Sequence, residues 1–293
     1  MIAHQIERLR VEHGAGVVRH LCAAAGLSAA TFYRLRGTEP DTGAATTELR
    51  AQIHALALRW PAYGYRRITA ALRRQGHLVN GKRVLSLMRT DNLLCLRKRR
   101  FTATTDSDHG LALYPNLART LAVTGTDHLW VADLTYIRLR HEFVYLAVVL
   151  DAYSRRVIGW SLGRSLEAEL AVSALRQALS SRRVTRSLVH HSDRGVQYAS
   201  AAYVGLLGDH GVTISMSRKG NPYDNAKAES FMKTLKYEEV LVHEYATLGE
   251  ARASVGDFLD RIYNEERLHS ALGYRPPAEY EALAESLITP RSC

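Results

Sequence analysis

Three carboxylates in this chain are spaced as phosphodiester chemistry would need them. Asp133 interrupts the otherwise apolar, strand-like run Leu129-Trp130-Val131-Ala132-Asp133-Leu134-Thr135-Tyr136-Ile137. An unpaired charge there is costly, so it calls for a partner or a metal. Asp193, in His190-His191-Ser192-Asp193-Arg194-Gly195-Val196-Gln197-Tyr198, follows a buried-strand pattern, at the edge where α/β sheets build sites. Glu229 comes after 35 intervening residues. Carboxylates from a strand middle, a strand end and a helix can converge on two divalent ions. Such a pair activates a water or a 3′-hydroxyl and stabilises the departing oxygen. Each carboxylate alone has a plainer explanation, a cap or a paired buried charge; the triple beside a basic region favours the metal site.

Glu229 belongs to Asn221-Pro222-Tyr223-Asp224-Asn225-Ala226-Lys227-Ala228-Glu229-Ser230-Phe231-Met232-Lys233-Thr234-Leu235-Lys236. This reads as a loop closed by Pro222, then a helix starting near Asp224 or Asn225, both good N-cap types. Glu229, Lys233 and Lys236 fall on one stripe, while Phe231 and Leu235 point into a core. By itself the stripe is a solvated face with an i, i+4 pair. Beside the other carboxylates, Lys233 and Lys236 become candidates to hold a phosphate.

The elements that position these residues follow from periodicity. His128 to Leu139, Glu142 to Leu150 and Arg156 to Leu162 read as an antiparallel meander of three strands. Ser165 to Ser181 is helical, with Leu166, Leu170, Val172, Leu175 and Leu179 on its apolar side. Ser187 to His191 is a buried strand, Ala201 to His210 a helix ended at Gly211, and Val212 to Met216 a fifth strand. The order predicts a mixed α/β core.

Upstream the chain is helical and basic. Gly16 to Ala25, a turn at Gly26 and a helix capped by Ser28 have helix-turn-helix spacing, with Arg34 and Arg36 on the second helix. A hairpin of helices that merely packs has the same pattern. Pro40 to Gly43 reads as a linker. Thr47 to Arg59, Tyr63 to Arg74 and Asn80 to Arg89 form a second helical unit. In it Ile68, Leu72, Val84, Leu85 and Met88 make a small core. Its rim carries Arg66, Arg67, Arg73, Arg74, Lys82 and Arg83, suited to DNA phosphates. Arg97-Lys98-Arg99-Arg100 and the polar stretch to His109 read as a basic linker.

Charge distribution supports that division. The chain has a formal charge of +10. Residues 1–110 hold 18 Lys and Arg against 8 Asp and Glu, whereas residues 111–293 hold 21 of each. A polyanion-binding N-terminal part joined to a neutral part with another task is the simplest reading. The three cysteines are odd in number and lack CxxC spacing, so neither a disulfide framework nor a structural zinc site is indicated. No run of 18 apolar residues and no signal peptide is visible, which argues against membrane insertion and secretion.

Weaker candidates remain. Asp151 is a turn cap or a neighbour of the metal site; His190, His191 and Asn221 either contact DNA or metal-bound water, or serve packing and turns. Arg267 and His269 either reach phosphate or lie on the surface. Trp60 and Trp160 are assigned to cores.

With these residues in view, the sequence resembles the OrfB-type insertion-sequence transposases, bacterial relatives of retroviral integrases. The resemblance rests on Trp130 to Tyr136, His191 to Tyr198 and Asp224 to Lys236, together with Tyr63-Gly64-Tyr65-Arg66-Arg67-Ile68 and the closing segment Tyr263 to Pro277. It covers nearly the whole chain. It implies a ribonuclease-H-like catalytic core with a mixed five-stranded sheet, preceded by a helical, helix-turn-helix-type region. The implied divisions are a helix-turn-helix-like segment (1–40), a basic helical DNA-binding domain and linker (45–110), the catalytic core (120–240) and a helical C-terminal extension (241–293).

The resemblance further implies that Asp133, Asp193 and Glu229 bind two Mg²⁺ or Mn²⁺ ions. The implied activity is strand cleavage and transfer at element ends, leading to DNA integration. Implied partners are double-stranded DNA, of the element ends and the target, and further copies of the chain assembled on it. In this family an upstream frame supplies a helix-turn-helix and a zipper. No heptad run precedes residue 40, so that part is expected from a partner polypeptide or is missing. The zinc-binding domain of retroviral integrases has no counterpart. The expected location is the bacterial cytoplasm, at the nucleoid. Rivals are a metal-dependent nuclease that does not join strands, and a DNA-binding regulator on a degenerate catalytic fold.

Overall fold

The structure is a computed structural model that describes residues 5, 6, 8, 9, 12, 14–36, 44–95, 112–182, 184, 187–218 and 225–288. The basic stretch 97–109, Asn221, and the side chains of Arg34 and Arg36 lie outside what is described. No described helix is long and apolar enough to cross a membrane.

The centre is a five-stranded sheet of β1 (Leu129–Arg138), β2 (Phe143–Asp151), β3 (Val157–Gly163), β4 (Val189–Ser192) and β5 (Thr213–Met216), in the order β3-β2-β1-β4-β5. β1, β2 and β3 form the expected antiparallel meander. β4 then joins β1 in parallel, and β5 joins β4 in parallel. Parallel neighbours need crossovers, here supplied by helices. Residues of β1 alternate between two cores, as period-two geometry requires. Leu129, Val131 and Ile137 enter one core, Trp130 and Ala132 the other.

The helices follow the order expected from sequence, with shifted ends. α1 (Val18–Ala24) and α2 (Ala29–Arg36) flank Gly26 at φ +64, and Ser28 Oγ accepts from Thr31 N at 3.0 Å as the cap of α2. α3 (Ala44–Arg59), α4 (Tyr65–Arg74) and α5 (Gly81–Thr90) make the second unit. Their core of Ile53, Ile68, Leu72, Val84 and Met88 also takes in Leu268 from far downstream. Leu268 N donates to the Tyr63 hydroxyl at 2.7 Å.

One face of the sheet is covered by α6 (Ala168–Ser181) and α7 (Ala201–Asp209). α6 starts later than expected and leaves Leu166 exposed at 41%. Gly159 lets β3 touch α6, since a Cβ there would run into the Ala174 carbonyl.

The other face carries α8 (Ala226–Leu235), which continues as a π-helical stretch over Lys236–Val240. Beside it lies α9 (Leu248–Asp257), continued over Phe258–Glu266, and α10 (Pro277–Ile288) follows. Glu281 on α10 is buried and accepts from Ser154 Oγ at 2.6 Å, Arg156 Nη1 at 2.7 Å and Arg182 Nη2 at 2.7 Å, fastening the C-terminal part to the core.

Candidate active site

Asp133 lies in the middle of β1, on the face it shares with Val131 beneath α8. In the parallel β1–β4 pair, Val131 stands opposite His191. The pairing ends there; Asp193 lies just past the end of β4, as Asp133 lies two residues past Val131, and the two carboxylates are close enough for Asp193 to act on Asp133. Asp193 Oδ1 accepts from Gly195 N at 2.9 Å, which shapes the loop leaving the strand. Glu229 comes from the first turn of α8 and faces Lys233 at 3.6 Å.

The start of α8 is tied to the strand that carries Asp133. Asn225 Nδ2 donates to the Ala132 carbonyl at 3.0 Å, next to Asp133 in the chain. Asn225 was expected as an N-cap; it precedes the helix, yet its side chain makes no cap bond. Its amide is committed to β1 instead. Phe231, Met232 and Leu235 are buried in the same core as Leu129 and Val131, which fixes the rotation of the helix.

The carboxylates influence one another strongly. Burial pushes the Asp133 carboxyl up to about 7, with Asp193 the next cause and Glu229 adding to it; the Leu134 N–H and Lys236 oppose the shift. Lys236 lies over the Tyr136 ring, 4.7 Å from its centroid. Burial lowers its pKa while Asp133 offsets part of that. Among the described residues no three of His, Cys, Asp and Glu stand close enough to hold one ion. The triple therefore meets electrostatically without being drawn into a ligand cage.

The donor set still suits a hard divalent cation. It is all oxygen, and like charges confined together are relieved by positive charge. The buried Tyr198 hydroxyl lacks a hydrogen-bond partner among the described residues. Its pKa is raised by burial first, then by Tyr203, Asp133 and Asp193, so it sits within the influence of two of the carboxylates.

Both histidines before Asp193 serve packing. His191 is fully buried, Nδ1 at 2.8 Å from Ser215 Oγ and Nε2 at 3.0 Å from Ser217 Oγ. His190 Nε2 meets the Tyr203 hydroxyl at 2.9 Å. These bonds, with Ser217 N to Ser192 O at 2.9 Å, hold the strand end from which Asp193 projects. The sequence offered one signal for this, since Ser215 in the last strand and Ser217 just past it are spaced two apart. Asp151 is a turn cap, with Oδ1 accepting from Tyr153 N at 2.8 Å and Ser154 N at 2.9 Å, and Oδ2 from Asp127 N at 2.7 Å.

Arg267 and His269 are neither exposed nor at a surface. Arg267 is 2% exposed and donates to both Glu238 oxygens, at 2.6 and 2.7 Å. Burial and the nearby Arg267, Arg67 and Arg155 depress His269 to about 2, so it stays neutral.

The expected DNA-binding cations are spread over other surfaces. Arg66, Arg73 and Arg74 line a groove of about 460 Å³ with Tyr65, Tyr274 and Arg275. Arg66 lies over the Tyr65 ring, Arg73 donates to Val79 O at 3.1 Å, and Arg74 forks onto Glu279. Arg83 donates to Thr46 Oγ1 at 2.6 Å. Lys82 is exposed at the start of α5. Arg67 stacks on Tyr63 and approaches Glu238 at 3.8 Å.

Comparison with known proteins agrees with this architecture. Two profiles described as Integrase core domain match residues 124–222 and 210–277, and an HTH-like domain matches residues 45–101. The last falls on α3 to α5, downstream of the α1–α2 pair. A 31 kDa protein of insertion element IS600 from Shigella sonnei is 37% identical over 263 residues, 89% of this chain and 97% of that protein. Transposase InsF of insertion sequence IS3A from Escherichia coli K12 is 39% identical over 75% of this chain and 76% of its own. The transposase of element IS904 from Lactococcus lactis is 37% identical over 75% and 87%. Among solved structures, the HTLV-2 integrase catalytic core domain in complex with magnesium aligns with 54% of this chain and 98% of that one, at 16% identity and a TM-score of 0.42. Integrase-core matches over the sheet and near-full-length relatives among insertion elements lead to one conclusion: the chain belongs to the IS3-type, OrfB family of insertion-sequence transposases, metal-dependent polynucleotidyl transferases with an integrase core.

Proposed function

We propose that Asp133, Asp193 and Glu229 are the catalytic carboxylates of this transposase and together bind two divalent ions, Mg²⁺ or Mn²⁺. The observation that carries this is the parallel pairing of β1 with β4, which ends two residues short of Asp133 and Asp193, together with the electrostatic influence of Asp193 and of Glu229, from the first turn of α8, on Asp133. Bound ions would supply activation of a water or 3′-hydroxyl and neutralisation of the charge developing on the attacked phosphate. The protein residues do the positioning. Asp133 is held rigidly by the sheet, Asp193 by its turn, and Glu229 by a helix docked through Asn225. Lys236, drawn toward Asp133, and Lys233 next to Glu229 steady a neighbouring DNA phosphate.

The same reading assigns the remaining segments. Residues 1–40 and 45–110 engage DNA through Arg34, Arg36, Arg66, Arg67, Arg73, Arg74, Lys82 and Arg83. Residues 120–240 carry out catalysis, and 241–293 brace them. Several of these arginines already have partners in the protein, so a phosphate would compete with Glu279 for Arg74 and with Glu238 for Arg67. Arg66 and Lys82 are the readiest contacts. Assembly of several copies on bacterial DNA completes the proposal.

A strand-transfer assay tests it, using the full chain, Mg²⁺ and duplexes taken from the DNA flanking its gene. Wild-type protein is expected to join a 3′-hydroxyl end to target DNA. Asp133→Asn, Asp193→Asn and Glu229→Gln should each abolish joining and leave DNA binding within about twofold. Joining by any of these variants would sink the metal assignment; cleavage without joining by the wild type would favour a nuclease.

A further inference from the structure

A cavity of about 120 Å³ lies on the opposite flank of α8 from Glu229, where the basic helical unit, the sheet and the C-terminal segment meet. That volume is several times what one water needs, and it admits a phosphate group. Its charge is lopsided. Arg67, Arg155, Lys227 and Arg267 line it, against one carboxylate, Asp151. Asp151 is already occupied by three backbone N–H groups. Glu238, outside the lining, takes two bonds from Arg267 and lies 3.8 Å from Arg67. Even with both acids counted, positive charge is in excess.

Arg155 is part of that excess. It stands at φ +63, a conformation uncommon for a side chain of its size, and among the described residues its guanidinium has no hydrogen bond or ion pair. Lys227 donates to the Ala152 carbonyl, at 2.9 Å. His269 is kept neutral first by burial and then by the same cations, Arg267, Arg67 and Arg155. Exposed Ser230 and Ser270 form the rim and leave it open to a ligand with hydroxyl-binding oxygens.

Position identifies the ligand. Val131 lines the cavity and Asp133 follows two residues later on the same face of β1, about 6.6 Å along the strand. We propose that this cavity binds a backbone phosphate of the DNA strand that passes through the active site, roughly one or two nucleotides from the phosphate under attack. The assignment rests on the reading of the chain as a DNA transposase and adds a subsite to it. Three guanidiniums, an ammonium and serine hydroxyls match a tetrahedral oxyanion.

Binding of the full chain to an end duplex, measured by anisotropy between 50 and 200 mM salt without divalent ion, tests this. Each lost phosphate contact lowers the slope of log K against log salt by about 0.9. Arg155→Gln should show that loss and bind several-fold more weakly at the lower salt. Ser270→Glu, at an exposed position where folding is not at risk, should weaken binding in the same direction. A single methylphosphonate linkage near the cleaved end should weaken the wild type and leave Arg155→Gln unaffected. Unchanged slopes in both variants, with normal melting curves, would overturn the proposal. So would stabilisation of wild type by inorganic phosphate, lost in Arg155→Gln, with DNA binding unaltered; the cavity would then hold a free phosphate. The readout needs no cleavage, so failure of the catalytic carboxylate assignment leaves it interpretable.

Discussion

At the scale of single residues, the ionisation of Asp133 has a measurable cost. Its carboxyl is raised to about 7 by burial, Asp193 and Glu229, against the opposition of Leu134 N–H and Lys236. A folded-state value above the unfolded one means that the folded chain holds the extra proton between about pH 4 and 7, so this group lowers stability as pH rises through that window. Asp133→Asn should therefore stabilise the metal-free protein, by on the order of 2 kcal/mol above pH 7, with no gain near pH 4. Thermal melts across pH read this out, and an equal effect at both ends would refute it. Added Mg²⁺ should raise the melting temperature of the wild type more than that of the variant, since it binds the folded chain only. Asp133 stood out in the sequence because a charge inside an apolar strand announces itself. Arg267 and His269 did not. Their burial is created by Tyr63, Arg67 and Glu238, residues distant in the chain.

At the scale of elements, the strands were readable from period-two alternation, and the helices from their apolar spacing. The parallel joining of β4 to β1 was not, since it depends on crossovers that no local pattern encodes. α8 starts where the sequence places it, but the role of Asn225 there was not legible, for a related reason. Asparagine suits a cap, but here its amide finds the Ala132 carbonyl across the chain. Asn225→Ala would leave that carbonyl, on the strand holding Asp133, without this donor. The expected loss is about 1–2 kcal/mol of stability. Strand transfer should fall at least tenfold with DNA affinity retained, because Glu229 would lose its alignment rather than its chemistry. A variant with full turnover would remove Asn225 from the positioning of the helix. Gly159 shows the same scale in the opposite sense, a missing side chain that lets β3 and α6 approach.

For the whole molecule, the basic unit and the C-terminal segment are joined more closely than a linear division suggests. Leu268 completes the core of α3 to α5, and Arg59 and Arg74 reach Glu266 and Glu279. Charge asymmetry along the sequence pointed to two parts, and it could not show that residues after 260 would fasten the first part to the rest.

The rod formed by α8 and its π-helical continuation has Glu229 near one end and Glu238 near the other. Nine residues separate them, roughly 13 Å of helix. Glu238 receives Arg267 and lies near Arg67 of α4, so the end of the rod is anchored where the basic unit begins. With the proposed roles of Glu229 and the α4 arginines, such an arrangement would make the protein a ruler. The interval between DNA held by α4 and the bond that is cut would then be set by protein length, not by the base sequence between them. Inserting one base pair into that interval should move the cut by one nucleotide toward the gripped segment, as mapped on a sequencing gel. A cut that stayed with its original bases would mean that the nucleotides themselves carry the measure.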